Sequence, residues 1–184
     1  MTTASPAGST YRGGSMMGRA LLIVGVMGTL GLIASAVMGY ALPGPLGPER
    51  QRHVLVSLAS SLLLLFSHCW IMFYLIGTGK AIKEAVNENG LEPSLIEDTK
   101  RFKNASYPSL MLAMTLAIAT FVLGGGVATG SLPSWVHHVL FYATVVVQAR
   151  ALWIENRVLV ENERLMADIN GRLSGPPRGR RAEA

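Results

Sequence analysis

Three stretches of this chain carry no formal charge at all: residues 20–42, 53–79 and 104–149. A helix needs roughly 20 apolar residues to cross the hydrocarbon core of a bilayer. The first two stretches hold one such span each, and the third is long enough for two. Half of the 184 residues are apolar and only 15% are charged, whereas about a quarter are charged in soluble domains. The chain therefore reads as an all-α membrane protein, a four-helix transmembrane bundle whose immediate partner is the lipid bilayer. The formal charge of +5 does not indicate nucleic acid, because the basic residues flank the apolar stretches, where topology signals sit.

The spans are predicted at about 20–42, 53–76, 107–128 and from 133 to about 150. Span one ends in the turn-forming run Pro43-Gly-Pro-Leu-Gly-Pro48, and span three carries Pro108 in its first turn and ends at Gly124-Gly-Gly126. If the spans alternate, 14 of the 16 Lys and Arg residues fall on one side, with Arg50 and Arg52 alone on the other. The positive-inside rule then places both termini and the long loop between spans two and three in the cytoplasm, as for a multi-pass protein of the plasma (inner) membrane. A competing reading treats Ala34-Ser-Ala36 as a signal-peptidase site, but the apolar run continues to Leu42 and is long enough to span.

Short connections favour up-down-up-down order. Helices two, three and four are predicted to continue into the cytoplasm. In the loop 78–106, residues 80–86 favour helix with Ile82 and Val86 on one face. Asn89-Gly90 is a helix stop, and Pro93 begins a second helix whose acids come early and bases late. Beyond Arg150, the extension 150–172 carries an apolar stripe of Ile154, Val158, Leu165 and Ile169. Outside the membrane domain 18–172, the arm 1–17 and the basic tail 173–184 have compositions that cannot bury enough apolar surface to order themselves.

The sequence has no Walker motif, no CxxC or HExxH, and no pair of acids within a predicted span. Gly77-Thr-Gly79-Lys80 lacks phosphate-loop spacing and reads as a flexible or tightly packed helix position. Gly31, Ser35 and Gly39 repeat every four residues, a small-residue face that lets two helices approach closely. Cys69 reads as a small buried residue and cannot form an internal disulfide, being the one cysteine. The methionines do not cluster with it or with the histidines at a copper-binding spacing.

Ionisable groups inside membranes are costly and often functional, which singles out the histidines. His53, His137 and His138 lie near the outer surface. Neutral imidazoles on facing helices there could hold a haem or a metal, although interfacial histidines also simply face head groups. His68 lies about 22 Å deeper, from fifteen residues at 1.5 Å each. At its level span three offers Met114, so a His68/Met114 haem is conceivable. A hydrogen bond to Gln148, Ser67 or a backbone carbonyl is simpler.

These features suggest a non-catalytic membrane subunit or assembly protein, in contact with other membrane subunits or with copies of itself. The alternative is a b-type haem or quinone-linked electron-transfer subunit built on the histidines. A small oligomeric transporter is weaker, because the spans show no inverted repeat and no acidic residue to couple to a cation.

Overall fold

A computed structural model of the chain describes residues 12–41 and 47–174, with side chains from residue 16 onward. Residues before 12, after 174 and most of the 43–48 run lie outside the described residues, and with them most of the predicted unstructured arm and tail. Four helices account for nearly everything else: α1 (Arg12–Tyr40), α2 (Pro48–Asn89), α3 (Ser94–Ala128) and α4 (Ser134–Ser174). Among the described residues there is no strand. α1 begins ahead of the predicted boundary at residue 17, so the last residues of that arm are helical.

α1, α2 and α3 are long and apolar enough to cross a membrane. α4 does not meet that measure, because His137, His138, Gln148 and Arg150 interrupt its apolar half. At 1.5 Å per residue, the 42 residues of α2 and 41 of α4 each reach roughly 60 Å, about twice the hydrocarbon thickness. One half of each long helix is apolar outside, with Phe73 65% and Val146 69% exposed. The other half carries ion pairs one turn apart, Lys80–Glu84 on α2 and Arg157–Glu161 on α4, and α3 carries Arg101–Asp98. Exposed pairs of this kind contribute only a few tenths of a kcal/mol each.

The turns follow local chemistry. Gly90 ends α2 in the left-handed conformation, φ 62°, and its N–H bonds the Val86 carbonyl. A side chain there would be strained. Gly130, φ 74°, does the same work between α3 and α4. Pro108 is not in a first turn: α3 runs unbroken from Ser94, which places the proline well inside the helix. It therefore cannot donate to the Asn104 carbonyl one turn back.

Small residues set how closely α1 approaches α2. A Cβ on Gly28 would lie 2.8 Å from Leu64 Cγ, and one on Gly31 would collide with Ser60 Oγ. Ser35 bonds Ser57, and Gly39 lies against the His53 ring. The face of Gly31, Ser35 and Gly39 is thus packed within this chain. Two apolar clusters lie deeper. Ile71, Leu75, Phe102, Leu110 and Val158 form one, and Ile82, Val86, Leu95 and Ile169 close the end nearest Gly90. The predicted pairing of Ile82 with Val86 is seen in the second.

Candidate functional site

The buried face of α4 reads Thr144, Gln148, Ala151, Glu155, Val158, Asn162 and Ile169. From Thr144 to Asn162 these positions alternate between three and four residues apart, the period of a helix seam packed against a neighbour, and Leu159 is buried beside Val158. Four of these seven positions are polar, and the central one is acidic. Each polar group must find a partner in the interior or cost free energy.

His68 on α2 supplies the main one. Its Nδ1 lies 2.5 Å from Glu155 Oε1, and its Nε2 lies 2.8 Å from Gln148 Oε1. All three side chains are completely buried. Gln148 Nε2 donates to the Ala113 carbonyl at 3.2 Å, which ties α3 to the same knot. That bond decides the protonation pattern. With its amide nitrogen committed to a carbonyl, Gln148 turns its oxygen to His68, so Nε2–H must be the donor. A single proton then lies between Nδ1 and the Glu155 carboxylate. Imidazolium–carboxylate and imidazole–carboxylic acid are the two forms of one neutral pair. Among the described residues this is the one ion pair with both partners fully buried.

Polar groups continue along the axis in both directions. Towards Gly130, Thr144 bonds Thr120 at 2.6 Å. Towards Gly90, Thr78 donates to Asn162 Oδ1 at 3.2 Å. Between these groups, Glu155 Oε2 and Asn162 Nδ2 are buried with no protein partner.

The predicted site residues divide into two places. His53, His137 and His138 line one cavity of about 360 Å³ near the α1–α2 and α3–α4 turns, together with Ser35, Gly39 and Thr120. His53 Nδ1 donates to the Ser35 carbonyl at 2.7 Å, which leaves Nε2 as its lone-pair nitrogen. His138 stacks obliquely on Tyr40 at 5.1 Å between ring centres. His68 stands apart, nearer the middle of the bundle. Met114 shares its level, but the Met114 sulfur meets Cys69 at 3.6 Å rather than His68. Both ring nitrogens of His68 are engaged, so neither faces a metal or haem iron in this arrangement. The expected bond to Gln148 is present, whereas Ser67 turns away and donates to the Leu21 carbonyl at 2.7 Å. Cys69 is exposed on the bundle surface rather than buried, because the helical turn that points His68 inward points its neighbour out.

Glu155 is the residue that sequence reading missed. Its position after Arg150 assigned it to the extension outside the membrane. The signal was present all the same: stepping by three and four from Gln148 to Val158 passes through Ala151 and Glu155. Among the described residues, no group of three or more His, Cys, Asp or Glu side chains is placed to hold a metal ion. The chain matches no protein-family model, no curated protein and no solved structure.

Proposed function

We propose that this chain is a proton-handling integral membrane protein, with His68 and Glu155 as its working pair. It would span the inner membrane four times in up-down-up-down order, with both termini and the Gly90 turn in the cytoplasm. The observation that carries the reading is the 2.5 Å contact between His68 Nδ1 and Glu155 Oε1, with both side chains wholly buried. Ionisable groups at such positions are expensive and are commonly kept for function. Thr120, Thr144 and Gln148 on one side, and Asn162 and Thr78 on the other, supply hydrogen-bonding stations towards each end. Glu155 Oε2 and Asn162 Nδ2 are buried without a protein partner, and buried polar atoms of this kind are the ones that ordered water satisfies.

The test is proton flux. Wild-type protein in liposomes containing a pH-sensitive dye is given a potassium diffusion potential. Proton entry above that of empty vesicles is expected. Glu155→Gln preserves the shape of the pair and removes the exchangeable carboxyl proton, so it should abolish the flux. Flux unchanged in Glu155→Gln, or none in folded wild type, would end this reading.

A second reading, a non-catalytic subunit of a larger membrane complex, draws on a different observation. α3 and α4 present a cleft of alternating charge at the end nearest Gly90, including Asp98, Arg101, Arg157, Arg164 and Asp168. A charged cleft outside the apolar layer suits a polar protein partner. Co-purification with a fixed set of membrane proteins in mild detergent, lost on reversing Arg101 and Arg164, would favour it.

A further inference from the structure

We infer that the cavity at the His53 end, lined by all four helices, binds a lipid-soluble aromatic diol of the quinol class. The inference is independent of the His68–Glu155 reading and stands on three polar side chains that line one cavity, His53, Ser61 and His137. His137 Nδ1 and Ser61 Oγ are buried in the cavity wall and have no hydrogen-bond partner. His53 contributes the third, because its Nδ1–H is committed to the Ser35 carbonyl and Nε2 keeps its lone pair. His137 has the backbone of Thr120 as its other polar neighbour. Buried polar atoms left without a partner are rare in folded proteins and call for an explanation. A ligand that brings hydroxyl protons to the two imidazoles, and an oxygen to Ser61, satisfies all three.

The rest of the cavity selects the ligand's shape. Its volume is about 360 Å³, within the range of small-molecule sites, which are mostly apolar with a few placed polar groups. Phe121 and Phe141 offer flat apolar surface, which suits a planar ring. Gly124 leaves room for the His137 ring, since a Cβ there would lie 2.9 Å from its Cε1. The flanking Val122 and Val139 are each 60% exposed on the outer face of the helices, so an alkyl tail leaving the cavity would meet lipid rather than water.

Gly125 makes the proposal testable without disturbing the fold. It lines the cavity, and a Cβ built on it meets nothing within 4 Å. Gly125→Leu should fill the space while leaving the helix intact. The experiment uses the full chain in lipid nanodiscs, titrated calorimetrically with decylubiquinol under argon. The expected result is saturable binding of one molecule per chain. It should be weakened at least tenfold in Gly125→Leu and in His137→Phe, and at least tenfold for the dimethyl ether of the same ring, which has no hydroxyl protons. Equal binding of diol and ether would overturn the assignment, as would wild-type affinity in a Gly125→Leu protein of unchanged melting temperature. A Soret band after haem addition that depends on His53 and His137, with no diol binding, would also overturn it. None of these outcomes bears on proton flux through Glu155, so the two readings fail separately.

Discussion

Replacing His68 by leucine should be among the most damaging single changes in this chain, and a second change should largely repair it. The substitution removes both hydrogen bonds of the imidazole, at 2.5 and 2.8 Å, from a completely buried site. It orphans two acceptors, Glu155 Oε1 and Gln148 Oε1, and Glu155 Oε2 already lacks a partner. An unsatisfied buried polar atom costs about 1–3 kcal/mol, and breaking one side of a buried charged pair costs about 3–5 kcal/mol. The two routes agree on about 4 kcal/mol, or a fall in melting temperature on the order of 10 °C for a chain of this size. Glu155→Leu should cost a similar amount, because it leaves the Nδ1 of His68 without its acceptor. In the double variant His68→Leu/Glu155→Leu only the Gln148 oxygen is orphaned, and apolar replacement of a buried pair is often neutral or stabilising. The double variant should therefore lie within about 2 kcal/mol of wild type, far from the sum of the singles. Reversible unfolding in mixed micelles, followed by circular dichroism across the four proteins, measures the coupling. Additive single losses would refute the shared-proton geometry.

Other expectations follow from packing and orientation. Gly28→Val should destabilise by about 1–3 kcal/mol, because its first carbon already meets Leu64 Cγ at 2.8 Å; Gly77→Ala, with nothing within 4 Å, should stabilise by about 0.5–1 kcal/mol through helix propensity. Both are read from the same unfolding curves. Thr144→Val, which removes the 2.6 Å bond to Thr120, should cost only about 0.6 kcal/mol, the usual scale for interhelical bonds in membranes. In a Cys69→Ser background, a cysteine at Glu88 should react with an impermeant maleimide only in inside-out vesicles, and one at Ser131 only in right-side-out vesicles. The opposite pattern would reverse the proposed orientation.

The helices themselves were legible because their determinants are local. Charge-free stretches, the Asn89-Gly90 stop and the Ile82–Val86 face all act through neighbours a few residues away. The knot at His68 was half legible. Counting rise per residue placed Gln148 at the right level, but Glu155 was hidden by its distance from the apolar stretch, since a charge after Arg150 reads as the start of water. What a linear reading weighs poorly is that a seam position outranks sequence neighbourhood: Arg150 and Glu155 differ by more than a turn, and only Glu155 faces inward. The cavity was less legible still. The histidines that line it could be listed, but nothing local announces that Ser61 and Gly125 share their space, because those positions meet only through tertiary packing.

His68 and Glu155 lie close to the midpoints of α2 and α4, each more than 40 residues long. Two stiff rods joined at their centres behave as scissors, so spreading the handles spreads the blades, whereas a join at one tip would make a simple hinge. A load that parts α2 from α4 beside the charged cleft is therefore felt, with similar leverage, beside His53 and His137. The strength of the central fastener then sets how far either end travels before the other must follow.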